Sequence, residues 1–108
     1  MSEKQNEISV YQSRRFEKAL SKLSEAHLKD VEDQIDIIIA DPEIGEQKKG
    51  DLSYLRVHKF RLNQQLALLG YAWVGDELEL YLLQLGSHEN FYQKLKAQRK
   101  TDAKLLKP

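Results

Sequence analysis

The chain of 108 residues contains no cysteine. Disulfide frameworks, zinc ribbons and thiol chemistry are therefore excluded. Proline occurs twice and glycine five times, and 41% of the residues are apolar. That balance fits neither a disordered nor a fibrous protein. Charge of one sign is not in excess, since 17 basic side chains face 17 acidic ones. No apolar run approaches the length needed to cross a bilayer; Leu66 to Trp73 is among the longest. The opening Met1-Ser2-Glu3-Lys4-Gln5-Asn6-Glu7 lacks the apolar centre of a secretory signal. What remains is expected to be one soluble domain spanning residues 1–108, cytoplasmic, with no membrane partner.

The absence of net charge conceals segregation. Residues 1–24 carry +2, residues 25–47 carry −7, residues 48–66 carry +4, residues 67–91 carry −4 and residues 92–108 carry +5. Two basic blocks can sustain a local positive field on a neutral protein, which makes an anionic partner worth testing. The alternative is a solvated surface on which acidic and basic elements lie side by side.

Periodicity orders the elements. Ile8 and Val10 predict a short strand. Ser13 is the expected N-cap of a helix whose apolar face is Phe16, Ala19, Leu20 and Leu23. Ser24 is the expected cap of a second helix, striped by Leu28, Val31, Ile35, Ile38 and Ile39 and closed by Asp41-Pro42. The short join between them predicts an antiparallel helical hairpin. After a polar loop, residues 54–62, 66–74 and 78–85 read as three strands of an antiparallel meander, with a tight turn at Gly75-Asp76. Ser87 is the expected cap of a last helix facing inward through Phe91 and Leu95, and the basic tail from about residue 98 is expected to fray. The predicted class is α+β, in the order β-α-α-β-β-β-α. The hairpin covers one face of a small, mainly antiparallel sheet, and the other face is left partly bare.

Two stretches could carry chemistry. Lys48 to Arg61 is the densest run of cations. Strand side chains alternate between faces, so Arg56 and His58 share one side and Lys59 and Arg61 the other. Leu55 and Val57 mark the Lys59 side as the core side, which predicts Arg56 and His58 on the uncovered face. The alternative is a half-exposed strand whose cations pair with the acids of the second helix. The second stretch, Gly86-Ser87-His88-Glu89-Asn90-Phe91-Tyr92, sets an imidazole at a strand-to-helix junction. A histidine there can give or take a proton near neutrality. Tyr92, one turn along, could point into the same cleft, although capping and core packing account for this stretch as well.

Other chemistries lack their residues. Gly45 to Asp51 has two glycines at P-loop spacing but ends in Gly-Asp, without the phosphate-binding lysine. His88-Glu89 has no second histidine at the spacing of a zinc protease helix. A metal site from His58, His88 and a carboxylate is the only metal alternative, and none is expected. No Gly-x-Ser-x-Gly elbow supports acyl transfer. Tyr71 and Trp73 read as sheet packing, and no aromatic pattern of RNA-recognition sheets is present.

The order of elements, Asp41-Pro42, Lys49-Gly50-Asp51-Leu52, Arg56-x-His58-Lys59-Phe60-Arg61 and Gly86-Ser87-His88-Glu89-Asn90-Phe91-Tyr92 with Leu95-Lys96 resemble the RelE/ParE superfamily. Its members are the toxins of bacterial type II toxin–antitoxin modules. The resemblance spans about Phe16 to Lys96, and the His-Glu-Asn-Phe-Tyr segment is similar to one ParE-like branch. It implies a growth-inhibiting toxin held by a cognate antitoxin. RelE-like members are endoribonucleases (mRNA interferases) that cut messenger RNA, usually on the ribosome, with no metal or other cofactor. The 2′-hydroxyl attacks the neighbouring phosphate, which needs a base, a cation for the phosphorane and an acid for the leaving 5′-oxygen. The resemblance implies catalytic roles for Arg56 (phosphate charge), His58 and His88 (base and acid in either order) and Tyr92 (orientation). Lys49, Lys59, Arg61 and Asn90 would bind substrate through sequence-independent contacts. ParE-like members instead poison DNA gyrase without nuclease chemistry. The chain's neutrality, and Gln64-Gln65-Leu66-Ala67 where many nucleases carry an arginine, keep that alternative open, together with a degenerate module that only binds antitoxin.

Overall fold

In the computed structural model, which describes residues 7–106, the helices begin where serine hydroxyls take up free helix amides. Ser13 Oγ accepts from Phe16 N at 3.1 Å and starts α1 (Arg14–Ser21). Ser24 Oγ accepts from His27 N at 3.2 Å and starts α2 (Glu25–Ala40). Each bond satisfies one of the donors that a helix start leaves open. Asp41 closes α2, as the proline after it requires. The hairpin buries Phe16, Val31 and Ile38 against the sheet.

The sheet has five strands, β1 (Ser9–Gln12), β2 (Glu46–Gln47), β3 (Arg56–Leu62), β4 (Gln65–Val74) and β5 (Glu79–Ser87), in the order β1-β5-β4-β3-β2. Only β1 runs parallel to its neighbour. Asn63 and Gln64 both have positive φ, 54° and 65°, the geometry of a two-residue hairpin turn between β3 and β4. The β4–β5 connection is longer than expected. A 3-10 turn over Gly75–Glu77 ends at Leu78 with φ 54°.

Both faces of the sheet are covered, not one. On the hairpin side Phe60, Ala67, Leu69, Tyr71, Leu80 and Leu82 meet the helices. On the other side α3 (Phe91–Ala97) lays Phe91 and Leu95 over Leu55, Val57, Leu68, Ala72 and Leu83. Gly70 makes this approach possible: a Cβ there would lie 3.1 Å from Phe91 Cζ and 3.2 Å from Leu55 Cδ1.

Three expectations are corrected. Ser87 is the last residue of β5 and caps nothing; α3 starts after Asn90, whose φ is 67° and whose side chain makes no capping bond. The tail is a further helix, α4 (Arg99–Leu106), held by Asp102, which is fully buried. The polar loop after α2 contains β2, a two-residue strand on the edge beside β3. Among the described residues no helix is long and apolar enough to cross a membrane.

Candidate functional site

Register assigns the side chains of β3. Arg56, His58 and Phe60 pair with Tyr71, Leu69 and Ala67, which belong to the hairpin-side core. Val57, Lys59 and Arg61 pair with Gly70, Leu68 and Leu66 and face the other way. Arg56 and His58 are therefore not on the uncovered face, and the expected assignment of faces is reversed. Leu55 and Val57 do mark a core side, but it is the one under α3. Phe60 and Leu62 carry the opposite parity and mark the larger core under the hairpin. That pair was the signal in the sequence that separates the two faces.

Each of the two displaced residues has a structural partner. Arg56 Nη1 donates to the carbonyls of Glu43 at 3.0 Å and Gly45 at 2.8 Å, clasping the loop that follows α2. Tyr71 holds the same loop, donating to Pro42 O at 2.7 Å and accepting from Gly45 N at 2.9 Å. Burial pushes the Tyr71 phenol up from its ordinary range. His58 is half-buried under α2, with Nε2 2.6 Å from Gln34 Oε1 and its ring stacked on Phe60 at 5.8 Å. Burial lowers its pKa from 6.5.

The other expected residues lie toward the open end of the α3-side face. Lys59 and Arg61 are exposed there, with Leu66, 41% exposed, beside Arg61. Lys59, Leu68 and Gly86 form one row across the sheet. His88 follows the Ala67–Ser87 pair by one residue, so it is level with Leu66 and Arg61 at the strand end, and it is exposed. Two strand spacings, about 10 Å, separate Arg61 from that level of β5. Asn90 is exposed at the start of α3. Lys49 is exposed before the 3-10 turn Gly50–Leu52. Tyr92 packs elsewhere. Its ring meets Phe91 edge-on at 5.2 Å and carries Lys48 Nζ 5.1 Å from its centre. Hydrogen bonding to Tyr92 is the main reason that the Lys48 ammonium titrates above its usual value. The structure thus gathers Lys59, Arg61 and His88 at one end of the sheet, and turns Arg56 and His58 to the opposite face. Among the described residues, no group of three or more His, Asp or Glu side chains is gathered as a metal would require.

One cluster escapes sequence reasoning altogether. Arg15 grips Asp102 with two hydrogen bonds of 2.9 Å and donates to Gln84 Oε1 at 3.1 Å. Gln84 in turn donates to Phe91 O at 2.7 Å, and Tyr54 donates to Asp102 at 3.5 Å. Burial, with Asp102 alongside, pushes the Tyr54 phenol up to about 12. The cluster ties α1, β5, α3 and α4 together. A lone aspartate within a basic tail was its only trace in the sequence.

Residues 10–96 match the model of a family described as the ParE-like toxin of type II bacterial toxin–antitoxin systems. Comparison with curated proteins returned no match. Solved structures share the fold at low identity. One is the toxin chain of the intact RelBE toxin–antitoxin complex of E. coli, 16% identical, with a TM-score of 0.62 over 77% of this chain and 99% of that one. A mutant of E. coli toxin RelE in the free state is 14% identical, with a TM-score of 0.66 over 88% and 96%. A chain of the archaeal RelE–RelB complex from Pyrococcus horikoshii is 21% identical, with a TM-score of 0.54 over 76% and 96%.

Proposed function

Because this chain belongs to the ParE-like toxin family of type II bacterial toxin–antitoxin systems, we propose that it arrests growth by cutting messenger RNA at the open end of its sheet, without a metal and on the ribosome. The observation that carries this reading is the exposed pair Lys59 and Arg61 on one face, with His88 level with them at the end of β5. Two cations that distance apart suit adjacent phosphates of a single strand and can take up the charge of a phosphorane. An imidazole at the strand end supplies the proton carrier that in-line attack requires. The 2′-hydroxyl loses its proton, its oxygen bonds to phosphorus, and the 5′-oxygen leaves with a proton. The products are a 2′,3′-cyclic phosphate and a 5′-hydroxyl. Asn90 and Lys49 lie at the margins as further contacts, and Tyr92 positions α3. Arg56 and His58 act from behind the sheet, by holding the hairpin and its loop in place.

A second reading is favoured by Leu66, an exposed apolar side chain between the two cationic positions and His88. Such a residue suits contact with a protein better than contact with phosphate, as a non-enzymatic inhibitor of DNA gyrase would need. The test is end analysis of messenger RNA incubated with the purified toxin, with and without ribosomes. Cyclic phosphate ends that disappear in Lys59→Ala, Arg61→Ala and His88→Ala variants of unchanged melting temperature support the nuclease. Intact RNA together with blocked supercoiling by gyrase assigns the second reading.

A further inference from the structure

β1 stops at Gln12, opposite Leu82. Among the described residues, β5 from Leu83 to Ser87 therefore has β4 on one side and no strand on the other. Ser13 covers the first positions of this bare edge, through its amide to Leu82 O at 3.0 Å and its hydroxyl to Leu83 O at 2.7 Å. Beyond Ser13 the edge borders a groove of about 360 Å³ between α1, β5 and α3. Its floor is apolar, from Ala19, Leu85 and Phe91, while Lys18, Lys22 and Lys94 line it with a single acid, Glu89. A second cavity of about 370 Å³ shares Lys22, Gly86 and Lys94 with it and continues toward Leu66.

We infer that this groove receives an extended acidic segment of the antitoxin, laid beside Gln84–Ser87 as an added strand. The inference rests on the reading of the chain as a toxin held by an antitoxin. Three features select this occupant. A bare strand edge presents amides and carbonyls that another backbone pairs with directly. The apolar floor takes every second side chain of such a segment, because strand side chains alternate. The cationic lining then sets the sign of the remaining side chains as acidic. An RNA strand satisfies the third feature but neither of the first two. At about 3.3 Å per residue, the bare edge matches a segment of roughly five residues. Because the groove runs on toward Leu66, a bound segment also shields the proposed RNA-binding end.

The test uses the full toxin and, as its probe, the product of the adjoining reading frame. Binding is measured by titration calorimetry for the wild type, for Lys22→Glu with Lys94→Glu, and for Lys100→Glu with Lys104→Glu as a matched control on exposed positions of α4. The groove variant is expected to bind about 10-fold or more weakly and the control to bind as the wild type does. All three should share one melting temperature, and amides of Gln84–Ser87 should become protected from exchange in the complex. Equal affinities with no added protection overturn the inference while leaving the toxin–antitoxin reading intact. So does a groove variant that loses only RNA binding, or self-association of the toxin that the same substitutions abolish. A wild-type toxin that fails to bind the adjoining product at all overturns the antitoxin reading itself.

Discussion

Arg56→Ala separates a residue that holds the fold from one that handles substrate. The guanidinium donates two hydrogen bonds to main-chain carbonyls, at 3.0 Å to Glu43 and 2.8 Å to Gly45. A hydrogen bond from a charged donor contributes about 1.5–3 kcal/mol when water is excluded. Here Glu43 is exposed and Arg56 only half-buried, so the liberated carbonyls regain water in part and the two bonds together are worth about 2 kcal/mol. For a domain of this size the same loss lowers the melting temperature by roughly 8–16 °C. Thermal unfolding followed by circular dichroism reads that shift, and growth arrest is scored in parallel. Arg56→Lys keeps the charge but not the planar fork, so it should fall between alanine and wild type. Lys59→Ala and Arg61→Ala, both at exposed positions, should stay within about 0.5 kcal/mol of wild type while losing toxicity. An Arg56→Ala protein that melts like the wild type yet no longer arrests growth would refute this reasoning and return Arg56 to the reacting site.

His58 gives stability a dependence on acid. Above pH 6.5 the ring is neutral in the folded and unfolded chains alike; below it the unfolded chain takes up the proton first, because burial lowers the folded pKa. Stability contributed by His58 is therefore lost as the pH falls from 6.5 through that lower value, and His58→Gln should flatten this part of a melting-temperature profile; coincident slopes would count against it. Asp102→Ala leaves Arg15 without its buried partner and should cost about 3 kcal/mol. Hydrogen exchange should show protection lost first in α4; uniform loss across the fold would mean that the contact is no latch. Gly45→Ala sets a Cβ 2.8 Å from Tyr71 Oη and 3.1 Å from the Val57 carbonyl carbon. It should destabilise by about 1–3 kcal/mol, and an unchanged denaturation midpoint would show that the loop yields freely.

What the sequence determined by itself was local. Ser13 and Ser24 announce two helices because a hydroxyl next to an apolar stripe answers a need of the helix start, whatever lies beyond. Pro42 stops the second helix by its own geometry, and the alternation of the last three strands makes a meander the simplest course. The α+β class and the helical hairpin follow from those signals. The open end of the sheet was only half legible. Lys59, Arg61 and His88 stood out as cationic or titratable, but period-two alternation says which residues share a side, not which side is covered. With helices on both faces, Val57 and Phe60 are each buried on their own side of β3. Tertiary packing alone could decide that His58 lies beneath α2 and Lys59 faces water. It also turned a basic tail into a helix, because Arg15 and Asp102, 87 positions apart, meet only once β5, α1 and α3 have closed around them. Long-range partners of this kind leave no periodic trace in the sequence: their energy depends on desolvation and distance, and both arise only from the folded arrangement.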